Sequence, residues 1–360
     1  MSETTKKILV IIQRSNGDVF LSHGLIKYLS QNYQNPYIDL LVNDDTHGTA
    51  QLIPGIRKIY TFSYKKKRES RISQEIEIFK NLFRKYDLSI NLTASDRSVI
   101  YAYVASNFCI SAVENVRQKS WWKQILMSKT YFFDDTKHIL LNNYMPLDIL
   151  RIKHKKIIPE IEINKENKKK IEMHLRKLKI KNFLIFHPSA QYTYKIYPKF
   201  LQDQLLSMLA NLNIDIVVTG GNSKIDRQIS KYIFKSKNIH NLIGKTTLED
   251  YLAISSLSLG YIGMDTLNMH IAASQNKRVF AIYGPTNLKM WSPWSNISNK
   301  GTIKNSPIQN YDNTTIFQAN LPCVACGQAG CDDNHGKSEC LYQIDPKIIF
   351  SEIEKYLDTF

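Results

Sequence analysis

Four stretches of this 360-residue chain carry side chains whose type and spacing suit chemistry. Asn16-Gly17-Asp18 places a carboxylate just after an apolar run and just before helical periodicity. A carboxylate there suits a general base that takes a proton from an acceptor hydroxyl, and Asp is equally a favoured helix cap. Asp265-Thr266 also follows an apolar run and precedes a helix of small residues. Backbone N–H groups and the helix dipole favour a phosphate at such a start, and the Thr hydroxyl adds a donor. Asp265 would repel phosphate, so it holds a sugar hydroxyl or fixes the turn. Lys195 sits in the loop Tyr192-Thr-Tyr-Lys-Ile-Tyr-Pro198, where it supplies the positive partner a diphosphate needs or is a solvated surface lysine. His270, one turn into the helix after Asp265, either joins the same site or packs. The fourth stretch, Cys323-x2-Cys326-x4-Cys331-x8-Cys340, is dense enough for a tetrahedral structural zinc with His335 as a substitute ligand, or it is a loop of free thiols. It suggests no catalytic metal.

These residues need strands and helices to position them. Lys7 to Ile12 reads as a buried strand followed by a helix through Val19, Phe20, Ile26 and Leu29. Ile38 to Val42 is a second strand, and Ile76, Phe79, Leu82, Phe83 and Tyr86 form a helical stripe ending before the strand Leu88–Leu92. A second series begins at Phe183–Phe186 and continues with a helix opened by Pro198, a strand from Ile214 to Thr219 and a helix starting at Thr247-Leu-Glu-Asp250. Strands at Leu257–Ile262 and Val279–Tyr283 and a helix at Pro346–Tyr356 complete it. Strands alternating with helices predict an α/β fold with two parallel sheets facing a cleft, with ligands outside the carboxyl ends of the strands. The lysine-rich change of composition between Arg151 and Asn182 places the boundary near 160 to 180. The expected domains are 1–165 and 166–345, with a terminal helix over 346–360.

Composition narrows the function. Hydrophobic residues make up 43% of the chain with only 14 Gly and 11 Pro, which excludes disordered and collagen-like classes. The apolar runs are too short to span a bilayer. The start Met-Ser-Glu-Thr-Thr-Lys-Lys has no leader-like apolar segment, so a cytoplasmic protein is expected. A formal charge of +16 attracts polyanions: nucleic acid, an anionic membrane surface or a phosphorylated substrate. No phosphate-binding Gly-x-x-x-x-Gly-Lys-Ser/Thr loop, Gly-x-Gly-x-x-Gly turn or Gly-x-Ser-x-Gly elbow is present.

Eight motifs in order give a more specific reading. They are Asn16-Gly-Asp18-Val-Phe, Tyr86-Asp-Leu-Ser-Ile-Asn-Leu92, Lys195-Ile-Tyr-Pro198, Thr219-Gly-Gly221, Asn241-Leu-Ile-Gly-Lys-Thr-Thr-Leu248, Asp265-Thr266, Met269-His-Ile-Ala-Ala273 and Tyr283-Gly-Pro-Thr286. Together they resemble glycosyltransferase family 9, the lipopolysaccharide heptosyltransferases, over nearly the whole chain. The resemblance implies a GT-B architecture of two Rossmann-like domains, the first binding acceptor and the second binding ADP-heptose. It also implies inverting transfer with no cofactor or metal required. Asp18 then looks like the general base, Lys195 the diphosphate-binding lysine, and Asp265, Thr266 and His270 the donor-binding turn. Two places depart from the family pattern. Leu267-Asn268 stands where Gly-Pro is usual, and Ser22-His23-Gly24 where Thr-Thr-Pro or Thr-Leu-Pro is usual.

The implied acceptor is the anionic lipopolysaccharide core, met in transient contact with the inner membrane surface, and no nucleic acid is expected. Basic stretches that could receive it are Lys65–Arg68 with Arg71, and Arg117 with Lys119 beside Trp121 and Trp122. A solvated basic face is the other reading. Alternatives on the same fold are another nucleotide-diphosphate sugar, a different acceptor, or a nucleotide- or nucleic-acid-binding protein without transferase activity.

Overall fold

The computed structural model describes residues 5–66, 68–154, 156–157 and 160–359. Lys67 of the basic run, Lys155 of the lysine-rich stretch and the first four residues lie outside the described residues. The chain divides into two compact units, Met1–Ile161 and Glu162–Phe360.

In the first unit, six strands form one sheet: β1 (Lys7–Ile12), β2 (Tyr37–Asn43), β3 (Ile56–Phe62), β4 (Leu88–Asn91), β5 (Cys109–Val113) and β6 (Lys129–Phe132). All pair in parallel, in the order β3-β2-β1-β4-β5-β6. Ile8 to Ile12 is an unbroken apolar run because β1 is central and covered on both faces. The helices are α1 (Asn16–Phe20), α2 (His23–Asn32), α3 (His47–Ala50), α4 (Arg68–Leu82), α5 (Asp96–Ala105), α6 (Arg117–Leu126) and α7 (Ile139–Ile149). The single helix expected after β1 is split at Leu21-Ser22 into α1 and α2, yet Val19, Phe20, Ile26 and Leu29 are all buried as expected. The stripe expected on α4 holds at Phe79, Leu82 and Tyr86, which pack on the core, and is corrected at Ile76 and Phe83. Ile78 and Leu82 face the core, whereas Ile76 is 49% and Phe83 64% exposed. The apolar positions span an arc of roughly 160°, wider than the buried face, so Ile72, Ile76 and Phe83 at one edge stay outside while Ile78 and Leu82 at the other edge are covered.

The second unit repeats the plan with β7 (Phe183–His187), β8 (Asp215–Val218), β9 (Ile239–Asn241), β10 (Gly260–Met264), β11 (Arg278–Ile282), β12 (Ile308–Tyr311) and β13 (Thr314–Phe317). Its order is β12-β13-β11-β10-β7-β8-β9, parallel except for β12 against β13. Its helices are α8 (Lys165–Lys177), α9 (Lys199–Leu209), α10 (Lys224–Tyr232), α11 (Leu248–Leu257), α12 (Leu267–Ser274), α13 (Leu288–Trp291), α14 (Glu339–Tyr342) and α15 (Pro346–Leu357). Part of the lysine-rich stretch forms α8, which packs on α11 and buries Ile171 and Leu175 while Lys165, Lys169 and Lys177 are exposed. Thr247 and Asp250 cap α11 reciprocally: each backbone N–H donates to the other's side chain, at 2.9 and 3.1 Å. The terminal helix α15 packs on α9 within this unit.

Both sheets have the strand order of a Rossmann fold, with the chain reversing direction between β1 and β4 and between β7 and β10. Loops diverge at such a reversal and leave a crevice outside the carboxyl ends of the strands.

Candidate active site

Asp18 lies beyond β1, at the reversal of the first sheet. It is 4% exposed and occupies the third position of α1. The Ser15 hydroxyl donates to Asp18 Oδ2 at 2.7 Å, and the Ser15 N–H donates to the same oxygen at 3.2 Å. Arg14 Nε lies 3.3 Å from Oδ1. Ser15 rather than Asp18 is the N-cap, and Asp18 is its N3 partner in the capping box, which orients the carboxylate: Oδ2 is held by Ser15, while Oδ1 faces the Arg14 guanidinium. The loops after β1 and β4 are joined by the Gln13 N–H, which donates to Thr93 Oγ1 at 3.0 Å.

At the reversal of the second sheet stand Lys195 and Asp265. Lys195 ends a single 3-10 turn, Thr193–Lys195, in the loop after β7; Asp265 follows β10. Lys195 Nζ donates to Asp265 Oδ2 at 3.0 Å. The lysine side chain is 26% exposed and the carboxylate only 8%. Neither role that the sequence suggests for Asp265 includes this ion pair, which links residues 70 apart in the chain. Thr266 is the N-cap of α12, but its hydroxyl makes no cap bond and lies 3.4 Å from the Tyr261 hydroxyl. α12 thus opens two residues after the carboxylate that holds Lys195, and a helix N-terminus together with a lysine suits a diphosphate. His270 is buried at 4% exposure one turn further along. Leu267 and Asn268 form the first helical positions, where Asn268 accepts a hydrogen bond from Tyr251 at 3.1 Å through its carbonyl.

Two strands must approach closely to bring these loops together. Gly263 in β10 has φ +156°, and a Cβ there would lie 2.4 Å from the His187 carbonyl oxygen of β7. Only glycine fits.

Several polar residues around these loops are not marked by any sequence motif. His187, at the end of β7, meets Thr219 Oγ1 at 3.0 Å through Nδ1, and burial pushes its pKa down to about 4, so the ring is neutral at pH 7. Asp226 lies against Gly220 and Gly221, where a Cβ would come within 3.1 Å of its oxygens. Its own burial raises its pKa, but hydrogen bonds from Ser189 and Ser223 outweigh that and lower it. In the first unit the missed residue is Lys123, fully buried on the inner side of α6. Its Nζ bonds Glu114 at 2.8 Å, Asp96 at 2.7 Å and the Ala94 carbonyl at 2.7 Å, beyond the ends of β4 and β5. The signal available was its spacing from Ser120, which puts both on the side of α6 opposite Trp121. Arg117 and Lys119 are exposed in the first turn of the same helix. His23 is buried in α2, where burial and then Lys27 push its pKa down to about 4.

The four clustered cysteines are not joined by disulfides. All four are free: Cys323, Cys326 and Cys331 are exposed, whereas Cys340 is buried in the core of the second unit. Among the described residues no group of three or more His, Cys, Asp or Glu side chains is placed to hold a metal ion. Cys340 lies on α14 and turns into the core, with Cys331, Cys326 and Cys323 close enough to act on its thiol. Burial first, then its three neighbouring thiols, pushes the Cys340 pKa up to about 11. His335, the substitute ligand, instead packs its ring with Tyr192 and Tyr194, at 5.8 and 5.5 Å between centroids.

The sequence profile of glycosyltransferase family 9 (heptosyltransferase) matches residues 76–319. The chain belongs to glycosyltransferase family 9. Lipopolysaccharide heptosyltransferase 3 of Escherichia coli is 26% identical over 289 residues, covering 78% of this chain and 83% of that protein. Lipooligosaccharide heptosyltransferase 2 of Haemophilus influenzae is 24% identical, covering 97% of this chain and 99% of that one. Among solved structures, E. coli ADP-heptose lps heptosyltransferase II superposes with a TM-score of 0.70 at 16% identity, covering 98% of this chain and 99% of that chain. E. coli heptosyltransferase WaaC with ADP-2-deoxy-2-fluoro heptose does so with a TM-score of 0.71 at 14% identity, covering 97% and 99%. This family 9 glycosyltransferase therefore has the GT-B fold.

Proposed function

We propose that the protein transfers heptose from ADP-L-glycero-D-manno-heptose to the inner core of lipopolysaccharide, with inversion at the anomeric carbon and no metal ion. The observation that carries this reading is the Lys195–Asp265 pair at the reversal of the second sheet, beside the first turn of α12. The donor identity is supported by the relatives named above, two of which are heptosyltransferases of lipopolysaccharide or lipooligosaccharide by name and one of which holds an ADP-heptose analogue.

In the reaction so read, the acceptor hydroxyl attacks the anomeric carbon as the bond from that carbon to the β-phosphate oxygen breaks. Asp18 accepts the hydroxyl proton. Lys195 and the N–H groups opening α12 take up the charge that develops on the departing ADP, and electrostatic stabilisation of this kind commonly lowers a barrier more than any other single effect. Asp265 holds Lys195 in place until the diphosphate competes for it, then serves a sugar hydroxyl. Arg117 and Lys119 serve the anionic acceptor. A second reading, transfer from a different nucleotide-diphosphate sugar, is favoured by Leu267-Asn268, whose side chains occupy the first positions of α12.

The test is incubation with ADP-heptose and deacylated core acceptors truncated before the first, second and third heptose, reading ADP release and acceptor mass. One acceptor gaining the mass of a heptose supports the proposal. Tight ADP binding with no release from ADP-heptose on any acceptor overturns the donor assignment.

A further inference from the structure

Right-handed crossovers fix which helices share a face of the first sheet. The connections through α4, α5 and α6 run β3 to β4 to β5 to β6, one way across the sheet, while those through α1, α2 and α3 run the other way. Opposite directions put the two sets on opposite faces, and α4 indeed packs on α5 and α5 on α6. The outer side of this three-helix layer is unusually apolar. On α6, Trp121 is 56% and Ile125 74% exposed, one turn apart on one side; on α4, Ile72 is 56% and Ile76 49% exposed in the same spacing, with Phe83 beyond them. Large apolar side chains grouped on one layer mark an interaction surface.

The charges around them select the partner. Residues 115–133 contain no Asp or Glu, and Arg117, Lys119 and Lys129 are exposed there. The one cation of α6 that faces inward, Lys123, is already neutralised by Asp96 and Glu114. From Tyr64 to Phe132 the chain holds 13 Lys or Arg against 6 Asp or Glu. A second copy of the chain meeting this face symmetrically would bring like charges together. An anionic lipid surface takes both features at once, with Trp and Ile entering the headgroup boundary and the cations meeting phosphate.

We propose that the outer face of the α4–α5–α6 layer docks on an anionic lipid bilayer. This deepens the reading of a lipid-borne acceptor, and vesicles without acceptor test it apart from that reading. No described helix is long and apolar enough to cross a membrane, so the contact is peripheral.

Flotation of the full chain with phosphatidylcholine vesicles, with and without phosphatidylglycerol, is the experiment. Binding is expected only with phosphatidylglycerol and is weakened by salt. The double variant Trp121→Ser/Ile125→Ser is expected to bind roughly tenfold or more weakly, given the apolar area removed, with an unchanged circular dichroism melt. Trp121→Phe should bind while losing part of the blue shift in tryptophan emission on vesicle addition. Absence of binding, or equal binding by the double variant, overturns the proposal. So does a concentration-dependent dimer that the double variant abolishes without any vesicle binding.

Discussion

Each candidate catalytic residue is already engaged with a neighbour, and those engagements set what a substitution does. Asp18 is both the N3 partner of the Ser15 cap and the proposed base, so replacing it tests two things that must be separated. Asp18→Asn keeps the shape and removes the base; kcat should fall about 10²- to 10⁴-fold, with little change in ADP affinity measured by calorimetry. The capping change should cost no more than about 2 kcal/mol in urea denaturation, which distinguishes lost chemistry from lost structure. Lys195 and Asp265 share an ion pair, so their effects should not add. Lys195→Ala should weaken ADP binding roughly 10- to 100-fold, the scale of one charge-assisted hydrogen bond. In Lys195→Ala/Asp265→Ala the binding loss should be no larger than in Lys195→Ala alone, since the carboxylate that would then repel the diphosphate is gone. A strictly additive double variant would mean that the pair is a surface contact without a role. The residue types at 18, 195 and 265 were singled out in the sequence for the chemistry proposed here. Pairing 195 with 265 did not follow from it, because nothing local links two loops separated by two intervening strands.

At the scale of elements, the site depends on where β7 and β10 run side by side. Gly263→Ala drives a Cβ against the His187 carbonyl, so it should destabilise the protein by about 1–3 kcal/mol in urea denaturation. It should also weaken ADP binding, because the strands it separates carry the Lys195 and Asp265 loops. Most strands with unbroken apolar runs were legible, as were the capped starts of α11 and α15, because cap residues and burial on both faces are written locally. β10 begins at Gly260, three residues after the expected start at Leu257, which closes α11 instead. Leu257 is apolar in either role, so only packing decides. The α4 stripe held in part for a related reason: Phe79, Leu82 and Tyr86 pack on the core while Ile76 and Phe83 lie at the edge of the apolar arc that the neighbours leave uncovered.

Across the whole molecule, acid should weaken both units together. His23 in the first unit and His187 in the second have folded pKa values pushed down to about 4 from 6.5. The unfolded chain binds protons there between pH 6.5 and 4 while the folded chain does not. The stability is therefore whole above pH 6.5 and is lost as pH falls toward 4, by on the order of 3 kcal/mol for each histidine. Denaturant midpoints measured from pH 7 to pH 4.5 should fall steadily. His187→Gln should reduce the slope, and an unaltered slope would mean that its ring is hydrated in solution. By itself the sequence determined the α/β class, the family and the residue types that the proposed chemistry uses, since these rest on strand burial, caps and short ordered motifs. Tertiary structure alone decided that Lys195 lies against Asp265, that Lys123 is buried among carboxylates, that Cys340 turns into the core, and that Trp121 and Ile125 stay outside. Each of those outcomes depends on which face of an element meets which neighbour, and that choice is made by long-range packing across strands whose order in the sheet is not their order in the chain.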